Sequence, residues 1–233
     1  MIGSREASLL AALLLSACAT SYVVPRPSTP ESVGLAIAVK VNPPIGFFGT
    51  APNTVYFVRL DGAESLERGT VIASTMEIGG LAYLLNVPAG EYAAVASTEA
   101  KEIQTAQPPP GGVSIGLART SHYSTFYSRE IVESTRVTVQ PGRFAFIGRL
   151  VVDTSVGLSS ADPTQLHYIS LLAPGAATST FGQIASVGNY QYAGGLGEIQ
   201  RDAGTLNELR TRAAKDLAGG GWSEILGAAA AAP

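Results

Sequence analysis

The chain has 233 residues, of which 46% are hydrophobic and only 14% charged, with a formal net charge of -3. That length suits one domain or at most two small ones, the apolar fraction excludes wholesale disorder, and so little Lys and Arg excludes a broad nucleic-acid footprint. One cysteine and two histidines exclude an internal disulfide and leave a Cys/His metal site almost no donors, so neither metal nor cofactor is expected.

The first element is a short apolar run, Leu9 to Ala17, which ends at the single cysteine, Cys18. It falls short of the roughly 20 apolar residues that cross a bilayer but has the length of a signal-peptide core. Leu15-Ser16-Ala17-Cys18 resembles a bacterial lipobox, an aliphatic residue and two small ones before the cysteine. The resemblance implies that residues 1–17 are a signal peptide and that Cys18 takes a diacylglyceryl group and an acyl chain such as palmitate. One feature departs from the pattern: Glu6 offsets Arg5 in the segment that is usually basic. Ala19 after the cysteine resembles the sorting signal for outer-membrane delivery, facing the periplasm or the cell surface. Residues 18–32, with Pro25, Pro27 and Pro30, read as an extended, semi-stiff tether. Its fourteen residues from Ala19 to Ser32 could reach roughly 45 Å.

Residues 33–172 read as strands. In chain order they are Gly34–Val41, Thr54–Leu60 before the turn Asp61-Gly62, Gly69–Ser74, Gly80–Val87 and Glu91–Ser97. Val113–Leu117 follows, then a period-2 stretch from Phe126 to Val139, Arg143–Val152, and an apolar run at Tyr168–Leu172. Short strands with turn signals every 8–12 residues predict a mainly-β domain, an antiparallel sandwich or a barrel.

Two segments inside this region echo one another. Val87-Pro88-Ala89-Gly90-Glu91-Tyr92 matches Val139-Gln140-Pro141-Gly142-Arg143-Phe144: a β-branched residue, a Pro/Gly turn, a charge, then an aromatic that starts a strand. Two hairpins built the same way, with glycine at a positive φ, explain the echo better than duplication of a half-domain. The motif is similar to that of prealbumin-like and carboxypeptidase-regulatory-like β-sandwich modules, found in small bacterial lipoproteins. The resemblance covers residues 33–153 and implies an Ig-like sandwich that scaffolds, binds or positions rather than catalyses. No family site transfers, because the matching residues are turn and core positions.

Residues 173–204 are rich in Gly, Ala, Ser and Thr and read as a long loop, with one short strand near Gly188–Tyr192. Thr205-Leu206-Asn207-Glu208 reads as a capping box that opens a helix to Ala218, with Leu206, Leu209, Ala213 and Leu217 on one face. Gly219-Gly220-Gly221 ends it, and residues 205–233 are expected to pack on the sandwich. Trp222, Ile225 and Leu226 form a small amphipathic turn that either folds onto the domain's own sheet or meets a partner.

Chemistry-bearing patterns are sparse. Gly112-Val113-Ser114-Ile115-Gly116 matches the nucleophile elbow of serine hydrolases, but Pro108-Pro109-Pro110-Gly111 precedes it and no helical period follows. His122 and His167 could be drawn into a triad with Asp153 or Asp162, as any two histidines could. The densest polar and aromatic cluster is Arg119, His122, Tyr123, Tyr127 and Arg129, a candidate surface for an acidic or glycan ligand. The expectation is therefore a lipid-anchored envelope protein, not an enzyme, that binds or scaffolds an envelope protein or glycan. The alternatives are a hydrolase using Ser114 and an accessory subunit acting through its C-terminal helix.

Overall fold

The computed structural model describes residues 23–44, 49–60, 66–103, 119–174 and 189–228. Cys18, Ser114, the turn at Asp61-Gly62 and the strand expected at Val113–Leu117 lie outside the described residues.

Strand β1 (Val33–Asn42) shows why the chain has two apolar layers. Val33, Leu35, Ile37 and Val39 point into one buried cluster, and Ala36 into another on the opposite face. β5 (Leu81–Val87) pairs with it antiparallel and divides the same way. Ala82 and Leu84 join the first cluster, and Leu81, Tyr83 and Leu85 the second. A strand covered on both faces reads as a continuous apolar run, which is how both appear in the sequence.

The remaining strands are β2 (Thr54–Arg59), β3 (Thr70–Ala73), β4 (Met76–Ile78), β6 (Gly90–Ile103), β7 (Arg119–Tyr127), β8 (Val137–Val139), β9 (Phe144–Val156) and β10 (Asn189–Gln200). All ten form one sheet in the order β3-β2-β6-β7-β10-β9-β1-β5-β4, with β8 paired to β6. The sheet curls into a half-barrel, so that Phe57 of β2 and Val95 of β6 share a core with Ile37 of β1 and Leu150 of β9. The chain is mainly β, as the sequence implies. Two ladders, β1/β9 and β10/β7, are parallel, so the sheet is mixed and not antiparallel throughout.

The two echoing turns play the same part in this topology. Neither closes a hairpin. β5 pairs with β1 and β4, whereas β6 pairs with β2, β7 and β8. Likewise β8 pairs with β6, and β9 with β1 and β10. Each turn is a corner that carries the chain from one limb of the curl to the other. Left-handed backbone occurs at both, at Asn86 (φ 59°) before the first and Gly142 (φ 66°) in the second. Tyr92 then points into the inner core, with its hydroxyl donating to the Pro88 carbonyl at 2.5 Å, while Phe144 packs on the outer face.

Two segments expected as strands are helices. α1 (Arg129–Ser134) buries the adjacent pair Ile131 and Val132, which strand alternation would have split between faces. Ser128 caps it, accepting from the Ile131 amide. Just beyond it, the buried Thr135 hydroxyl donates to the Ile131 carbonyl (2.9 Å) and accepts from the Ala94 amide (3.0 Å). That amide faces the gap between β8, which pairs with β6 up to Tyr92, and β7, which pairs with it from Ala96.

α2 (Pro163–Leu172) replaces the apolar strand expected at Tyr168–Leu172. Asp162 and Gln165 cap it reciprocally around Pro163 at the first turn. The buried Gln165 amide also donates to the Phe126 and Gly194 carbonyls, at 2.8 and 3.0 Å, which staples α2 to β7 and β10.

The C-terminal helix α3 (Ala203–Asp216) starts three residues earlier than expected. Its cap is Asp202, whose carboxylate accepts from both the amide and the hydroxyl of Thr205 (3.0 and 2.6 Å). Those bonds hold the Asp202 carboxyl below its ordinary range. Leu209, Ala213 and Leu217, followed by α4 (Ser223–Ala228) with Ile225 and Leu226, close over the outer face of β1, β5 and β9. Trp222 sits at the centre, edge-on to Phe144 at 6.1 Å. Gly34 permits this, because a Cβ there would lie 2.5 Å from the Phe144 ring and 3.2 Å from the Trp222 ring.

The described part of the Pro-rich stretch before β1, expected as an extended, semi-stiff tether, is docked on the domain. Trp222 Nε1 donates to the Pro25 carbonyl at 2.7 Å. Asn86 brackets the next residues, donating to the Arg26 carbonyl (2.8 Å) and accepting from the Ser28 amide (2.9 Å). Gly142 donates to the Glu31 carbonyl at 3.0 Å, and Val24 packs against Gly220.

Candidate functional site

At the far end of β1 from that strap, the concave face of the half-barrel opens into a cavity of about 510 Å³. The size is that of a small-molecule site, roughly 300–1,000 Å³. Alternation places its side chains. On β6 the inward residues are Ser97, Glu99 and Lys101, on β7 Tyr123 and Thr125, and on β10 Tyr190 and Tyr192. Val41, Pro43, Pro44 and Pro52 form an apolar wall, with Thr154 beside it.

The tyrosines make a rib across adjacent strands. Tyr123 and Tyr190 are cross-strand neighbours on the parallel β7/β10 pair. Their rings stack with centroids 4.9 Å apart and planes 10° apart, and Tyr192 lies parallel to Tyr123 at 6.5 Å. Burial, then the nearby Tyr123 and Tyr190 phenols, pushes the Tyr192 hydroxyl above its ordinary range.

The charged groups are spent on one another. Lys101 Nζ is 3.1 Å from Glu99 Oε1 and 5.5 Å from the centre of the Tyr123 ring. Thr50 donates to the other Glu99 oxygen at 2.7 Å. Below the rib, Tyr127 is fully buried, and its hydroxyl makes no hydrogen bond of ordinary geometry although the Ser97 hydroxyl is beside it. Burial pushes that phenol well above its ordinary range. An orphaned buried hydroxyl under a cavity is spare hydrogen-bonding capacity.

The cluster expected from the sequence is divided. Tyr123 lines the cavity and Tyr127 lies beneath it. His122, one residue from Tyr123, is on the exposed opposite face of β7, as strand alternation requires. Arg119 opens β7, and its side chain lies outside the described residues. Arg129 belongs to α1, at the other end of the strand, and pairs with Glu133 at 2.7 Å. Trp222, Ile225 and Leu226 are buried against the sheet and present no surface to a partner.

The triad partners are otherwise engaged. Asp153 accepts from the Asn42 side chain at 2.8 Å, and Asp162 caps α2 while accepting from the Arg129 amide at 2.8 Å. His167 sits on α2 with its ring edge-on to Tyr168 at 5.0 Å. Among the described residues, no hydrogen bond joins a histidine ring to a carboxylate.

Sequence reasoning missed Glu99, Lys101, Tyr190 and Tyr192. Their signal is present as two period-2 runs, Ser97-x-Glu99-x-Lys101 and Tyr190-x-Tyr192, but one runs past the expected end of a strand and the other lies in a short strand with no expected partner. Comparisons of the chain with family models, with curated proteins and with solved structures return no match.

Proposed function

We propose that this chain is a lipid-anchored protein of the cell envelope, delivered to the outer membrane, whose half-barrel binds a ligand without transforming it. The observation that carries the binding reading is the tyrosine-ribbed cavity, with the orphaned Tyr127 hydroxyl beneath it. Its wall chemistry supports a ligand class. Glu99 and Lys101 neutralise each other, the prolines offer apolar surface, and the Tyr, Thr and Ser hydroxyls offer donors and acceptors. An uncharged molecule with an apolar face and many hydroxyls matches that wall, and a neutral envelope glycan has this chemistry.

The anchor reading is supported by the lipobox at Leu15–Cys18. Kinship with prealbumin-like sandwich modules is supported by the two Pro/Gly corners, which throw the chain between facing limbs as sandwich connections do.

Calorimetric titration with two neutral probes, chitotriose and maltotriose, tests the cavity. Saturable binding of one of them is expected, weakened at least tenfold in a Tyr123→Ala/Tyr190→Ala variant with an unchanged far-UV spectrum. No saturable heat from either probe, or equal binding by the variant, overturns the glycan reading. Labelled palmitate should enter the wild-type chain and be lost in Cys18→Ala; label that persists in that variant overturns the anchor.

A further inference from the structure

The docked strap and the cavity lie at opposite poles of the half-barrel. The strap from Val24 to Ser32 is held by Trp222, Asn86, Gly142 and Gly220. All of these lie where β1 begins, β5 ends and β9 begins. The cavity is lined by Val41 and Pro43 where β1 ends, by Thr154 near the end of β9, and by Lys101 near the end of β6. From Gly34 to Val41 the strand alone spans roughly 23 Å at about 3.3 Å per residue.

We infer that the docked strap holds the anchor pole against the bilayer and turns the cavity away from it, so the ligand arrives from the aqueous side and not from the leaflet that carries the anchor. This rests on the reading of Cys18 as the lipidated residue. The physical argument is one of chain length. A free tether from Cys18 to Val33 would span fifteen residues, about 50 Å, enough for the domain to turn over. With the strap docked at Val24, only the six steps from Cys18 to Val24 remain, at most about 22 Å. To face the cavity toward the bilayer, the chain would have to run back along the whole of β1, roughly 30 Å, before reaching lipid. The remaining chain is shorter than that run, so the inverted pose is closed while the strap is docked. Its contacts are distributed over three carbonyls and one amide, so no single broken bond frees it.

Because Cys18 is the chain's single cysteine, one new cysteine can be labelled selectively in the lipidated full chain. Val23, 90% exposed at the strap pole, and Thr120, exposed at the start of β7 on the cavity pole, are suitable positions. Val23→Cys and Thr120→Cys each receive a donor dye and are reconstituted into phosphatidylcholine/phosphatidylglycerol vesicles that contain a rhodamine-headgroup acceptor lipid. Energy transfer to the membrane is expected to be at least fivefold more efficient from position 23 than from position 120. Equal transfer, or stronger transfer from position 120, overturns the orientation alone. Mass spectrometry and vesicle flotation of the same samples separate the two failures: a mature chain without lipid mass overturns the anchor and the orientation together.

Discussion

The two poles of the half-barrel are ends of the same strands, yet they are finished in opposite ways. At the strap pole, large side chains are locked by specific bonds. The Trp222 indole donates to Pro25, the Asn86 amide grips Arg26 and Ser28, and the buried Tyr83 hydroxyl donates to Asp216 at 2.7 Å. At the cavity pole, the Tyr127 hydroxyl lacks such a bond, and three phenols stand together over open volume. One pole has used its polar capacity for stability and the other has kept it. Local departures from full satisfaction are where binding is to be looked for.

The largest expected effect tests the stability pole. Trp222 is fully buried among Phe144, Gly34 and the strap, and Trp222→Ala should cost about 3–5 kcal/mol, since it removes the ring and leaves a cavity. Urea unfolding followed by far-UV circular dichroism measures it. A loss under about 1 kcal/mol would mean the strap pole collapses around the gap and is not the rigid end described here.

How much of this contrast was legible in the sequence depends on how local the signal is. β1, β2 and β5 were readable because their apolar runs end at Pro, Gly or Asn within the chain itself. α2 carries a local mark in Asp162-Pro163-Thr164-Gln165, but the apolar residues that follow read as a strand. α1 was not readable by period: Ile131, Glu133 and Thr135 alternate, and burial of the adjacent Ile131 and Val132 between sheet and helix decides the outcome. The cavity was least legible. Its rib joins Tyr123 to Tyr190 through a parallel ladder of strands far apart in sequence, and parallel pairing across a long crossover leaves no local mark. Tyr123 belongs both to the cluster expected from the sequence and to the cavity wall, but nearness in sequence on a strand puts its expected neighbour His122 on the other face.

Two buried tyrosines sharpen the comparison at intermediate size. Tyr83→Phe removes a hydrogen bond to a carboxylate and should cost about 1.5–3 kcal/mol at neutral pH, read from urea midpoints. Burial first, then Asp216, holds the Tyr83 phenol well above its ordinary value of 10.0, and burial does the same for Tyr127. A tyrosine that holds its proton more tightly when folded contributes stability that is complete below pH 10 and shrinks as pH rises further. There the unfolded chain binds fewer protons than the native one. Stability should therefore fall steeply above pH 10, and less steeply in Tyr83→Phe. An unchanged alkaline slope in that variant would mean Tyr83 ionises freely in the folded chain.

The smallest expected stability effects lie at the cavity pole, and their smallness is the informative part. Tyr127→Phe deletes a hydroxyl that has no ordinary bond, so the unliganded protein should lose no more than about 0.5 kcal/mol and can gain. Tyr190→Ala removes one stacked partner from an open rib and should cost about 1 kcal/mol. If the poles divide labour as described, both variants unfold near the wild-type urea midpoint, yet Tyr190→Ala loses the stabilisation that a saturating neutral oligosaccharide gives the wild type. That stabilisation grows with the logarithm of ligand concentration once the site is filled, so its disappearance reads binding and not folding. A Tyr127→Phe chain as destabilised as Tyr83→Phe would show instead that the hydroxyl beneath the cavity is bonded in solution, through Ser97 or a buried water, and that this pole is finished like the other.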